Sequence, residues 1–253
     1  MPVILLLALV NFRAHRPGDA ETVVSQLQFL GDSLHEGSGE RMQSSFPEGY
    51  VFTWALYGLA SAQVARQLPQ NDPRWAELLD RVRDAVDHVD SPIARSTFPK
   101  ELDPPYGAFY CAWSLYLRAE YMRAAGADEL TPTFVQKFEE DCTEFAHVLR
   151  RSQTPFLPSY PAAAWPVDTC VAIAALSIRD RILGPKYESV IKRWVADARS
   201  RLDPRFNALS HAADARTGAP HAVDNVAKRP RVQRGAAQKG ADSLCRSLEP
   251  DFD

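Results

Sequence analysis

A block of aromatic and small residues returns along this chain every 59 residues, and that repeat limits the possible folds more than any other feature. Trp54 and Trp113 stand 59 positions apart (113 − 54), as do Tyr57 and Tyr116, and Ala60 and Ala119. Phe52, Cys111 and Cys170 continue the same 59-residue register. Each copy follows a proline-containing turn: Phe46-Pro47-Glu48-Gly49-Tyr50, Pro104-Pro105-Tyr106-Gly107, and Tyr160-Pro161 through Trp165-Pro166. Self-similarity at a fixed period marks stacked supersecondary units that bury their apolar faces against one another.

The spacing of apolar residues makes these units helical. Segments from Pro47 to Gln67, Pro105 to Ala125 and Trp165 to Leu183 are apolar on nearly all sides. Those opening near Asp72-Pro73, Thr131-Pro132 and Tyr187 carry a single apolar stripe, such as Trp75, Leu78, Leu79, Val82 and Val86, with charges between. A helix apolar all round is buried, whereas a one-striped helix faces solvent on its other side. Alternation of the two types predicts an inner and an outer layer. A further helix, from Ala20 to His35, precedes them. The fold class is therefore all-α, built of helical hairpin repeats of the (α/α) toroid kind, with about three hairpins over residues 20–222. A six-hairpin ring at this period needs about 350 residues, more than the 253 available. The expectation is half a ring, completed by a homo-oligomer, left as an open bundle, or cut short by truncation.

The two ends differ from this domain. Residues 1–19 open with the apolar run Pro2 to Val10, too short to span a bilayer, which needs about 20 residues. Two readings fit it: a clipped signal or anchor on an exported, periplasmic-side protein, and a buried N-terminal segment of a cytoplasmic one. Residues 223–253 hold Lys228, Arg229, Arg231, Arg234, Lys239 and Arg246 and lose all hydrophobic periodicity. This end is expected to be a disordered tail or out-of-frame coding rather than a basic arm. A net charge of −3 (29 − 32) excludes a chain-wide basic footprint, so no nucleic-acid partner is expected. Four cysteines in 253 residues are too sparse for a disulfide scaffold.

Chemistry-bearing residues gather at the predicted N-termini of the inner helices. Asp168 lies in Trp165-Pro166-Val167-Asp168-Thr169-Cys170. Two roles fit it: a helix cap, since Asp is a preferred N-cap, and a general acid or base at a cavity mouth. Glu48 with Tyr50, and Asp103 with Tyr106, each supply a carboxylate and a phenol before the other inner helices. Glu48 equally suits the helix dipole. Carboxylates converging on one cavity raise one another's pKa, as paired acids do. The candidate catalytic residues are thus Asp168, Glu48, Tyr50 and Asp103. Trp54, Tyr106, Phe109, Trp113, Trp165 and Cys170 are the candidate walls of a substrate cavity. Cys111 and Cys170 fit a thiol pair, a disulfide or core filler. No HExxH, CxxC or CxxxH spacing occurs, so no metal site is expected. The six histidines, including His35, His88 and His147, all fall outside the inner helices. Gly-rich phosphate loops and a GxSxG elbow are absent.

The strings FPEGYVFTWALYGLA (46–60), PPYGAFYCAWSLYL (104–117) and YPAAAWPVDTCVAIAAL (160–176) resemble uncharacterised bacterial proteins similar to the linalool dehydratase/isomerase-like group of (α/α)-barrel proteins. The resemblance covers roughly residues 20–222 and rests on the inner helices. It implies a lyase or isomerase that adds or removes water at an alcohol, with no metal or organic cofactor. It also implies acid/base work by Asp, Tyr, His and Cys around an aromatic pocket. Relatives of that kind continue through further hairpins beyond the equivalent of His221, where this chain enters its basic tail. The aromatic walls suit an isoprenoid-like or a sugar-like small molecule. Two alternatives belong to other classes: a non-catalytic helical-repeat binding module, and an inactive truncated relative.

Overall fold

The structure, a computed structural model, describes residues 20–204 and 206–220. The apolar segment expected at 1–19, the tail expected at 223–253 and the last residues of the expected helical domain lie outside the described residues. The elements in order are α1 (Ala20–Ser33), a π-turn (Leu34–Ser38), α2 (Gly39–Ser45), α3 (Gly49–Ala65), α4 (Pro73–Val89) and α5 (Pro92–Arg95). Then come α6 (Gly107–Ala125), a short 3₁₀ turn, α7 (Pro132–Arg151), β1 (Ala163–Ala164), α8 (Pro166–Leu183), α9 (Glu188–Arg199) and β2 (Ala213–Asp214). The fold is all-α, with a single two-stranded antiparallel ribbon among the described residues.

The predicted layers are present. Helices α3, α6 and α8 pack side by side, and each carries its own outer helix, α4 on α3, α7 on α6 and α9 on α8. The outer helices start where the sequence places them. Asp72 caps α4 by accepting the Arg74 N–H at 2.9 Å, and Pro73 fills the first position. Thr131 caps α7 by accepting from Phe134 N–H at 3.3 Å. The step from Pro73 to Pro132 is 59 residues (132 − 73), and so is that from Gly107 to Pro166 (166 − 107). The stripe on α4 buries Leu78, Leu79, Val82, Val86 and Val89, each side chain contributing roughly 1.5–3 kcal/mol. No helix among the described residues is long and apolar enough to cross a membrane.

The leading helix ends beside His35, where the sequence places its end. Gly37, at φ 88° and ψ 22°, kinks the chain, and a separate short helix, α2, follows from Gly39 to Ser45. Glycine tolerates that left-handed conformation.

Charged side chains pin the two layers together. Arg118 on α6 is buried and bonds Ser114 at 2.6 Å, Asp90 at the end of α4, and Asp141 of α7 at 3.3 Å. Arg179 on α8 is buried against Glu139 of α7, Asp180 and the Gly184 carbonyl.

Candidate active site

The loop of residues 152–165 builds the site by bringing its own side chains to the starts of the inner helices. Leu157 N–H donates to Thr169 Oγ1 at 3.1 Å, and Trp194 Nε1–H donates to the Pro155 carbonyl at 2.7 Å. Ala108 N–H at the start of α6 donates to the Pro158 carbonyl at 2.8 Å. Gly107, at φ 81°, lets the loop approach this closely. A Cβ there would stand 2.6 Å from the Ser159 carbonyl oxygen. β1 pairs with β2 and closes the far side of the loop.

Asp168 lies at the third position of α8, behind Trp165 at the N-cap and Pro166. It is therefore not the cap that one sequence reading allowed. Its carboxylate is buried, 5% exposed, and its Oδ2 accepts the Ser159 hydroxyl at 2.6 Å. Burial pushes its pKa up to about 7. The Ser159 hydrogen bond opposes that rise, and the nearby negative charge of Glu48 adds to it. Loss of water outweighs the helix dipole, which would otherwise favour the anion. At neutral pH the group is therefore near half-protonation, the condition for a proton donor or acceptor.

Glu48, half-buried just before α3, faces the same place. Its Oε1 accepts the Tyr160 hydroxyl at 2.6 Å. Burial raises the Tyr160 pKa, and its bond to Glu48 and the charges of Glu48 and Asp168 raise it further. The phenol therefore acts as a hydrogen-bond donor that fixes Glu48. Ser159, Tyr160, Asp168 and Glu48 form one polar cluster contributed by a loop and two inner helices.

A chain of aromatic rings runs on from Tyr160. Tyr160 meets Trp165 edge-on at 5.3 Å and Phe98 at 6.2 Å. Phe98 stacks on Phe109 at 5.7 Å, Phe109 contacts Trp113 at 6.2 Å, and Phe52 meets Trp113 at 4.9 Å. The Trp113 indole N–H is buried without a hydrogen-bond partner, a donor left for an oxygen to meet.

Other expected site residues stand elsewhere, each for a physical reason. Tyr50 is two positions past Glu48 on a helix, about 200° around its axis at 3.6 residues per turn, so the two cannot face one place. Its hydroxyl bonds His88 Nδ1 at 2.8 Å on the opposite side of α3. Trp54, one turn further along, lies on that side too and stacks on His88 at 3.7 Å. Asp103 is exposed and pairs with Arg151, whose Nε donates at 3.1 Å. Tyr106, left-handed at φ 67° as the N-cap of α6, turns to Tyr110 at 5.6 Å and to Arg95. Cys170 is core, buried with Cys142 and Ile173 among α6, α7 and α8 side chains, and Cys111 donates to the Pro105 carbonyl. Burial raises the Cys111 and Cys142 thiol pKa values, so these are filler rather than nucleophiles.

The sequence reading missed Ser159 and Tyr160. They sit in what looked like a connecting loop, and a proline-rich loop gives no periodicity from which inward side chains can be read. Comparison with family models, curated proteins and solved structures gave no match.

Proposed function

We propose that this chain is a cofactor-independent acid/base enzyme of the lyase or isomerase type, acting on a small alcohol. The observation that carries the reading is the buried Asp168 carboxyl, titrating near pH 7 beside a second acid, Glu48, in an aromatic setting. The resemblance of the three inner-helix strings to the linalool dehydratase/isomerase-like group supports the same class.

The chemistry follows from the two protonation states. Protonated Asp168 gives its proton to a substrate hydroxyl as the C–O bond breaks, and the oxygen leaves as water. Glu48, oriented by Tyr160, takes a proton from the adjacent carbon, and that C–H electron pair becomes the alkene bond. Addition of water runs the same steps in reverse, with the acid and base roles exchanged. Aromatic faces stabilise the positive charge that develops at the carbon, and the Trp113 N–H offers a hydrogen bond to a substrate oxygen. Aromatic walls take an isoprenoid-like chain by apolar burial or a sugar-like ring by stacking, so both substrate classes belong in the test. A non-catalytic binding module gains nothing from a buried carboxyl near half-protonation.

The test is product analysis of the full chain with a panel of isoprenoid and sugar-like alcohols in ¹⁸O-labelled water. The expected result is ¹⁸O incorporation or alkene formation that is lost in Asp168→Asn and in Glu48→Gln, with helical content unchanged. Equal conversion by Asp168→Asn and the parent chain overturns the reading.

A further inference from the structure

On the other side of α3, three ligating side chains converge that share no residue with the carboxylate cluster. Asp84 and His88 are four positions apart on α4 and so share one helix face. His35 comes from the end of the leading helix, just before the kink at Gly37. His35 Nε2 stands 3.2 Å from Asp84 Oδ2, and His88 Nε2 stands 3.7 Å from Asp84 Oδ1. One ligating atom from each of the three lies within 4.8 Å of the others.

We propose that His35, Asp84 and His88 form a binding site for a divalent first-row transition-metal ion. Two imidazoles and a carboxylate are a donor set suited to Zn²⁺, Fe²⁺ or Co²⁺. Metal–ligand distances of about 2.0–2.1 Å place tetrahedral ligand atoms about 3.3 Å apart. The His35–Asp84 separation of 3.2 Å already matches that edge, and side-chain rotation closes the others, which lie within 4.8 Å.

The surroundings fit ligation better than a plain ion pair. The His35 Nδ1 lies 2.8 Å from the Gly31 carbonyl, which only accepts, so Nδ1 carries a hydrogen and, in the neutral ring, Nε2 keeps the lone pair that ligates. His88 Nδ1 is held by the Tyr50 hydroxyl, and the ring is clamped by stacking on Trp54 at an interplanar angle of 5°. Fixing the second ring nitrogen is how proteins orient metal-binding imidazoles. Two imidazolium rings sharing one carboxylate would repel each other, whereas a single cation between them satisfies all three groups. The Glu40 and Asp87 carboxylates, close enough to act on His88, add negative potential. His35, Asp84 and His88 all remain partly exposed, which leaves coordination positions for water or another ligand.

The experiment uses the full chain without a polyhistidine tag, stripped with EDTA, then titrated with Zn²⁺ by calorimetry and with Co²⁺ by visible absorption. The expected result is one ion per chain and Co²⁺ ligand-field bands of an imidazole–carboxylate site. Changing a residue that only orients a metal ligand costs roughly 10–100-fold in affinity, so His35→Gln and Asp84→Asn, which remove ligands, should each weaken binding by roughly 100-fold or more. Both positions are partly exposed, and circular dichroism of the metal-free variants verifies their fold. Tyr50→Phe should weaken binding less, by roughly 10-fold. Undiminished binding in both ligand variants, or no stoichiometric binding by the parent chain, overturns the proposal. Neither ligand variant alters Asp168 or Glu48, so failure here leaves the acid/base reading standing, and the reverse also holds.

Discussion

Replacing Asp168 by Asn should make the protein more stable at pH 8.5 while removing its acid. The folded-state pKa of Asp168 lies near 7, against an ordinary value of 3.8, because the carboxylate is stripped of water and faces Glu48. The folded chain therefore holds this proton more tightly than the unfolded chain does. Between pH 4 and pH 7 the unfolded state loses the proton first, so this group's contribution falls as pH rises. At 1.36 kcal/mol for each pH unit, ionised Asp168 costs the folded state about 4 kcal/mol above pH 7. At pH 4 the folded state is protonated and the unfolded state about half ionised, so the cost there is under about 1 kcal/mol. Asn retains an oxygen to accept from the Ser159 hydroxyl and carries no charge. Urea unfolding followed by circular dichroism, from pH 4 to pH 8.5, gives stability for both chains. The difference between the two curves cancels every titrating group that is not coupled to Asp168. It should be under about 1 kcal/mol at pH 4 and grow to about 4 kcal/mol in favour of Asp168→Asn by pH 8.5. A total stability of about 5–15 kcal/mol makes such a change easy to read. Parallel curves, with a gap constant to within about 0.5 kcal/mol, would mean that Asp168 ionises like an exposed aspartate, and the catalytic argument would lose its basis.

Other consequences are more local. Ser159→Ala removes the one hydroxyl that favours the Asp168 anion, so a ¹³C NMR titration should place that carboxyl above its parent value. Gly107→Ala combines a left-handed backbone with a Cβ 2.6 Å from the Ser159 carbonyl, and thermal unfolding should show a loss well above the ~1–2 kcal/mol of left-handed strain alone. Gly37→Ala, at φ 88° and ψ 22° with only the Arg41 and Glu40 side-chain ends near its Cβ, at 3.6 and 3.7 Å, is the control and should show only that ~1–2 kcal/mol. Arg118→Ala leaves Asp90 and Asp141 without their buried partner and should cost about 3 kcal/mol in urea unfolding. The half-exposed Arg151–Asp103 pair is different, and Arg151→Ala should leave the urea midpoint nearly unchanged.

The layer plan was legible in the sequence because it depends on local signals. Alternation of all-apolar and one-striped segments separates inner from outer helices, and Asp72-Pro73 and Thr131-Pro132 mark helix starts by capping chemistry. The convergence of Asp168 and Glu48 followed from the repeat, because equivalent helix starts lie at one end of the layer. Side-chain direction was not legible by the same route. Glu48 and Tyr50 are near neighbours in sequence, yet the helix turns them to opposite sides, and Tyr50 with Trp54 joins His88 instead. His35 and His88 are 53 residues apart (88 − 35) and meet only because α1 leans on the α3–α4 hairpin, a contact that no motif spacing encodes. The 59-residue register pairs His88 with His147, but His88 turns toward Trp54 while His147 is exposed. A repeat predicts backbone position, and each copy then uses that position differently.

The buried charges distinguish structural roles from chemical ones. Arg118, Glu120 and Arg179 are all buried and all meet an opposite charge, Asp90, Arg123 and Glu139 among them. Each replaces lost hydration with an ion pair; Arg118 and Arg179 tie inner helices to outer ones, while Glu120 meets Arg123 on its own helix and Arg66 at the end of α3. Asp168 is equally buried but meets a hydroxyl and a second acid, an arrangement that weakens the fold whenever the group ionises. Packing alone would be better served by a neutral side chain of similar shape at this position. A local departure from the stabilising choice, placed where a loop and two helix starts converge, is what the proposed acid/base site requires and what packing alone does not. That contrast, more than the presence of any one residue, is why we propose the Asp168–Glu48 end of the inner helices as the reaction site.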